Sequence, residues 1–168
     1  MIPVDQIRTG KPQGQCTEAS VASLLEVELH EIPELWAGEG AEEPRPTHRC
    51  IRMYGFVLSR GYQWCQFAFE ERPLEKLDID DLNLTSLPLE LARGHHLILG
   101  KNPDGLGHMC VGKNGKLVHD PNPSRRGLVT VDTIAVFVPL EMVSEKYVGW
   151  IMRHYDWKRD RWVLHTAD

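Results

Sequence analysis

Gly14-Gln15-Cys16-Thr17-Glu18-Ala19-Ser20-Val21-Ala22-Ser23-Leu24-Leu25 is the stretch from which the fold can be read. A cysteine stands directly ahead of a run of small residues and leucines. Ala19, Val21, Ala22, Leu24, Leu25, Val27 and Leu29 spread around much of a helical circumference, and a helix apolar on most sides is buried on most sides. This predicts a central helix from Thr17 to about Leu29, with Cys16 at its starting end. The first turn of a helix carries N–H groups without intrahelical partners and the positive end of the dipole. Both favour an anion, so a thiol placed there ionises more readily. Cys16 is therefore the first candidate for a reacting atom.

The rest of the chain is arranged around that helix. Residues 1–15 contain Gly10, Pro12 and Gly14 and read as a loop, which carries Gln6, Gln13 and Gln15. Pro33, Pro44, Pro46 and Gly38-Glu39-Gly40 interrupt the next segment. A second helix is expected from Thr47 to Ser59, capped by Thr47 and ended near Gly61, with Cys50, Met53, Tyr54, Val57 and Leu58 on its apolar stripe. Tyr62–Phe69 has the aromatic content of a strand. Leu74–Leu91 reads as a mixed connection with a short helix near its end. The second half changes to strands: His96–Gly100, His108–Gly112, Lys116–Asp120 and Thr133–Leu140. Helices followed by a mostly antiparallel sheet define an α+β protein. We divide it into a helical part of about 1–92, a sheet part of about 93–140 and a tail of 141–168, in a single domain spanning 1–168.

Composition narrows the function. At 42% hydrophobic and 26% charged residues, the chain is an ordinary globular one, long enough at 168 residues to bury a core. A net charge of −5 argues against a nucleic-acid binder, which needs a basic face. No apolar run approaches the ~20 residues of a membrane span, and the N-terminus lacks the layout of a signal peptide. A cytoplasmic location is expected, with no membrane partner. The four cysteines form no C-x-x-C pair and are expected to be reduced, so no structural metal and no cofactor is expected. Cys50, Cys65 and Cys110 read as core.

A cysteine nucleophile needs a base, and the base needs an orienting group. The candidates are His108 and Asp120, on two strands joined through Lys113-Asn114-Gly115. Two hairpin registers are open. A two-residue Asn114-Gly115 turn pairs Lys113 with Lys116, sets His108 opposite Pro121 and turns Asp120 to the other face, so that His119 shares the face of His108. A three-residue loop pairs Gly112 with Lys116 and sets His108 directly across from Asp120. The second register is the expected one, because it brings imidazole and carboxylate within hydrogen-bond reach.

Cys16 heading a helix, a distant strand-borne His108 and then Asp120-Pro121 on the next strand resemble the papain-like cysteine peptidases. The likeness is greatest to the branch that processes bacteriocin leader peptides. The chain is also similar to short uncharacterised bacterial and phage proteins, through Gly107-His108 and His119-Asp120-Pro121-Asn122-Pro123-Ser124-Arg125-Arg126-Gly127-Leu128. The resemblance implies a papain-like fold with the central helix packed on the sheet. It also implies a Cys16–His108–Asp120 triad acting through an acyl thioester on amide, peptide or isopeptide bonds of a peptide or protein substrate. Acyl transfer of the transglutaminase kind on the same residues, or a non-catalytic papain-like binding or scaffold protein, are the alternatives.

Papain-like enzymes place an oxyanion-binding glutamine about six residues before the cysteine. Here Gln6 stands ten before Cys16 and Gln13 three before. Gln6 is the preferred residue, because a longer loop can return it to the site, and Gln13 is the alternative. Arg125 and Arg126, on the loop after Asp120, are candidates to meet an acidic group of a substrate.

Overall fold

A computed structural model of the chain describes residues 1–9, 14–35, 46–82, 89–143, 155–156 and 161–162. The residues fall into two compact units, one of Met1–Ile32 with Cys65–Phe137 and one of Pro33–Trp64 with Val138–Asp168. Among the described residues no helix is long and apolar enough to cross a membrane.

The first unit holds the helix read from the sequence. Helix α1 spans Cys16–Leu25, and Glu18 through Ser23 are buried without a break. That run matches the apolar and small residues distributed around the helix. The helix stops at Leu25 and not at about Leu29, because Glu26 takes the left-handed conformation (φ 57°) and closes it. Helix α1 lies against strands β3 (Gly107–Lys113) and β2 (His95–Lys101). Ser20 Oγ donates to the Met109 carbonyl at 3.1 Å, fixing helix to strand inside the core.

The sheet has five strands in the order β1-β5-β2-β3-β4, where β1 is Tyr62–Pro73, β4 Lys116–His119 and β5 Thr130–Pro139. Strand β2 pairs antiparallel with both β3 and β5, and β3 pairs antiparallel with β4. As the central strand, β2 is covered on both faces: His96, Leu97 and Ile98 are all buried. The observed class is α+β with an antiparallel sheet, as expected from the order of elements. The short helix expected near the end of the 74–91 connection is α3, Leu89–Arg93.

The second unit contains α2, Pro46–Ser59, which starts at a proline, a residue pre-set for the first helical position. Met53, Val57 and Leu58 on α2 are buried, as is Trp64, whose ring centroid lies 5.2 Å from that of Tyr54. Of the stripe anticipated for α2, Met53, Val57 and Leu58 are buried, whereas Tyr54 is 39% exposed. Two-residue strands β6 (Tyr155–Asp156) and β7 (Arg161–Trp162) pair antiparallel. Most of the 141–168 tail, and Gln13, lie outside the described residues.

The β3–β4 hairpin corrects the expected register. Lys113 pairs with Lys116 and Gly112 with Leu117, so the turn is the two-residue Asn114-Gly115. Both turn residues have positive φ, 49° and 72°, which is the Asn-Gly turn chemistry that matches strand twist. The register then shifts between Gly112 and Val111, and Val111 pairs with His119. Two steps along β4 are taken for one along β3, and Val118 is the extra residue of a bulge.

Candidate functional site

The site lies within the first unit and begins at the head of α1. Gln15, the residue before Cys16, does not cap the helix with its side chain. Its Oε1 accepts from the Arg8 N–H at 3.1 Å, and its own N–H donates to the Arg8 carbonyl at 3.2 Å. These two bonds close the loop between Arg8 and Gln15. The path from Gln6 to Cys16 is thereby shortened: two residues to Arg8, across the closure to Gln15, then Cys16. Gln6 is held from the other side as well, its N–H donating to the Pro121 carbonyl at 2.9 Å. Its side chain is 4% exposed, and Oε1 has no hydrogen-bond partner among the described residues. Gln6 is thus fixed between the residue after Asp120 and the strand of chain that leads into Cys16.

His108 and Asp120 meet because of the bulge. A side chain changes face with every residue along a strand, so one extra residue flips everything beyond it. A two-residue turn without a bulge would have turned Asp120 away from His108. The extra Val118, itself 46% exposed, returns Asp120 to the His108 face. His119 is correspondingly turned the other way, and its Nε2 donates to the Val4 carbonyl at 2.9 Å. His108 Nε2 donates to Asp120 Oδ1 at 2.7 Å, with the two side chains 7% and 3% exposed.

Asp120 is the most heavily bonded group in the site. Oδ1 also accepts from the Asn122 N–H at 2.8 Å, and Oδ2 accepts from the Gly127 N–H at 2.7 Å. Gly127 is at φ 66°, a conformation that brings its N–H back onto the carboxylate and suits glycine. Burial would push the Asp120 carboxyl up, but the bonds from His108, Asn122 and Gly127 outweigh it and hold the group below its ordinary value. Asp120 is therefore a carboxylate at neutral pH.

With Nε2 committed to Asp120, Nδ1 is the ring nitrogen left for a thiol. Burial disfavours the charged ring. Hydrogen bonds with the Cys110 and Cys16 side chains, and then with Asp120, overcome that and raise the His108 pKa to about 11. Cys110 was expected to be plain core, and it is fully buried beside Ile98, Leu128 and Val131. It nonetheless belongs to the site as well. The signal was present in the sequence: His108 and Cys110 are two apart on one strand and share a face. Burial pushes the Cys110 thiol up, and His108 offsets this only in part. Cys110 thus stays protonated at neutral pH, and Asp120 supplies a charge that balances His108. Cys65 is half-buried and its thiol is likewise raised by burial.

Arg125 and Arg126 already have acidic partners. Arg125 donates to Asp5 Oδ2 at 2.6 Å and also bonds the Asp120 carbonyl, while Arg126 donates to Asp104 Oδ2 at 2.7 Å. They tie down the loop after Asp120, and an acidic substrate group would have to compete for them. As to metal-ligating groups, one nitrogen of His108, the sulfur of Cys110 and a carboxylate oxygen of Asp120 lie within 4.8 Å of one another.

Fold and site together define an α+β protein in which a helix-leading cysteine, a strand-borne histidine and a buried aspartate form one connected cluster. No family model, no curated protein and no solved structure matches the chain.

Proposed function

We propose that the chain is a papain-like, thiol-dependent hydrolase of amide, peptide or isopeptide bonds. The observation that supports this most is the buried His108–Asp120 hydrogen bond at 2.7 Å on a ring that also bonds the Cys16 thiol. In this mechanism Cys16 gives its proton to His108 and attacks the acyl carbon. The oxyanion is met by the Cys16 N–H and the Gln6 side-chain amide. His108 passes its proton to the leaving amine, and a thioester remains on Cys16. Water, deprotonated by His108, then releases the acid. Asp120 holds the ring with Nε2–H on its carboxylate, which leaves Nδ1 for the thiol.

The test is labelling with a panel of acyl and vinyl-sulfone activity probes, comparing wild type with Cys16→Ala. Labelling of the wild type at Cys16, absent in the variant, is expected, and the reactive probe reports the substrate class. A panel that labels nothing, together with alkylation of Cys16 no faster than that of Cys65, would reject the reading. An amine acceptor that outcompetes water for the acyl group would convert the reading from hydrolase to acyltransferase.

A further inference from the structure

We propose that His108, Cys110 and Asp120 form a binding site for a divalent cation of the Zn²⁺ class, one that does not use Cys16. A nitrogen of His108, the sulfur of Cys110 and a carboxylate oxygen of Asp120 lie within 4.8 Å of one another. The register of the hairpin accounts for this. His108 and Cys110 are two apart on β3 and share a face, and continuing the Val111–His119 pairing sets Asp120 beside Cys110. Strand β3 is paired on both sides, to β2 and to β4, so the two donors it carries are fixed in spacing. Donors on one ion stand about 3.5 Å apart for bonds of about 2.0–2.3 Å, so small side-chain rotations bring all three onto one ion.

The ion takes the place of a proton. His108 Nε2 and Asp120 Oδ1, 2.7 Å apart, have the Nε2 proton between them. A cation there accepts a lone pair from each, as Nε2 gives up that proton and Nδ1 keeps one. Oδ1 still accepts from the Asn122 N–H and Oδ2 from the Gly127 N–H, so ligation orphans no backbone donor. Cys110 binds as a thiolate, its proton passing to solvent. Thiolate and carboxylate carry one negative charge each, so a divalent ion leaves the cluster neutral. Neutrality matters where Ile98, Leu128 and Val131 wall the thiol, because a net charge buried among apolar side chains is costly. One sulfur, one imidazole nitrogen and one carboxylate are donors that Zn²⁺ and Co²⁺ accept, whereas Ca²⁺ and Mg²⁺ require shells of oxygen. Three protein donors leave the fourth tetrahedral position to water. If the hydrolase reading holds, an occupied site silences the enzyme, since Nδ1 then carries the proton of the ring and cannot take that of Cys16. The site itself does not rest on that reading.

The experiment is a titration of the chelator-treated, reduced full chain with Co²⁺, followed by absorbance. One equivalent is expected to give tetrahedral ligand-field bands and a thiolate-to-metal charge-transfer band, both erased by Zn²⁺. Cys110→Ala and Asp120→Asn should lose the saturable bands, whereas Cys16→Ala should keep them with unchanged affinity. Cys110 is buried, so a second measurement is made on the wild type alone. X-ray absorption at the zinc edge should count one sulfur at about 2.3 Å, with nitrogen or oxygen at about 2.0–2.2 Å in the rest of the shell. Absence of saturable bands, their loss in Cys16→Ala, their retention by a folded Cys110→Ala, or two sulfurs in the zinc shell would overturn the proposal. Metal binding without probe labelling rejects the hydrolase alone, and probe labelling without metal binding rejects the metal site alone.

Discussion

His108 Nε2 and Asp120 Oδ1 are 2.7 Å apart across a hairpin in which the two residues are not partners. The last ladder pair is Val111 with His119, and continuing that register sets Asp120 beside Cys110 and places His108 on the diagonal. Diagonal neighbours on one face remain within reach of long side chains. The bond therefore depends on a bulge, and the geometry of the site depends on one exposed valine.

Deleting Val118 tests that dependence. The hairpin should keep its Asn114-Gly115 turn and pair without a register shift, which rotates Asp120 to the opposite face. The deletion variant is expected to remain folded by circular dichroism and to lose selective alkylation of Cys16. Retention of wild-type Cys16 selectivity would contradict the bulge as the device that joins the pair.

Asp120 serves both the ring and the loop, and two substitutions separate these roles. Asp120→Asn keeps one acceptor oxygen, enough for one of the two backbone N–H groups, and removes the charge that favours the protonated ring. A loss in probe-labelling rate of about 10²–10⁴-fold is expected, with a Tm loss smaller than that of the alanine variant. Asp120→Ala in addition leaves the Asn122 and Gly127 N–H groups unpaired, at about 1–3 kcal/mol for each buried donor. Its Tm should fall well below that of the Asn variant. Equal melting temperatures for the two would remove the loop-anchoring role.

Stability should depend on pH through the same pair. His108 is raised above its unfolded value of 6.5, so its contribution is complete below pH 6.5 and is lost as the pH climbs toward 11. Asp120 is lowered below 3.8, so its contribution is complete above that value and is lost as the pH falls beneath it. Chemical denaturation of metal-free wild type and His108→Gln across pH 6 to 10 checks the first limb. The wild-type advantage should shrink steadily with rising pH, and a constant difference would exclude the imidazolium.

Thiol selectivity follows from burial. Cys110 and Cys65 are both pushed up by burial, while Cys16 bonds His108 at the head of α1. Peptide mapping after brief iodoacetamide treatment at pH 6 should find Cys16 modified first. Equal, slow modification of all four cysteines would sink the activated-thiol assignment.

Gln6→Ala separates oxyanion binding from thiol activation. Turnover of an acyl probe should fall about 10²–10³-fold, the usual effect of losing one oxyanion donor. Iodoacetamide alkylation of Cys16 forms no oxyanion and should stay within about twofold of wild type, since no such donor acts in that reaction. A parallel loss in both reactions would assign Gln6 to scaffolding only.

Local signals in the sequence determined a good deal. The spread of apolar and small residues from Ala19 to Leu25 marked a helix buried on most sides, with Cys16 at its head. Apolar runs and Asn114-Gly115 marked the strands and the turn, and their order marked an α+β chain. The set Cys16, His108 and Asp120 could be named from residue type and element alone. Periodicity and turn chemistry act over a few residues, so a sequence displays them directly.

Tertiary structure decided the rest, because it turns on bonds between distant residues. The bulge at Val118 is held by His119 bonding Val4 on one face and Asp120 bonding His108 on the other, 115 and 12 residues away. Nothing in Lys116–Asp120 itself displays those partners, and the expected three-residue loop was the wrong route to the right pair. The Gln6 backbone is held because Arg8 and Gln15 close a loop and Pro121 accepts its N–H, contacts that counting residues back from Cys16 could not supply. Cys110 was read as core from its apolar neighbours, and it is core. Its place two residues from His108 on the same face of β3 makes it also a thiol beside the imidazole, which its apolar neighbours concealed.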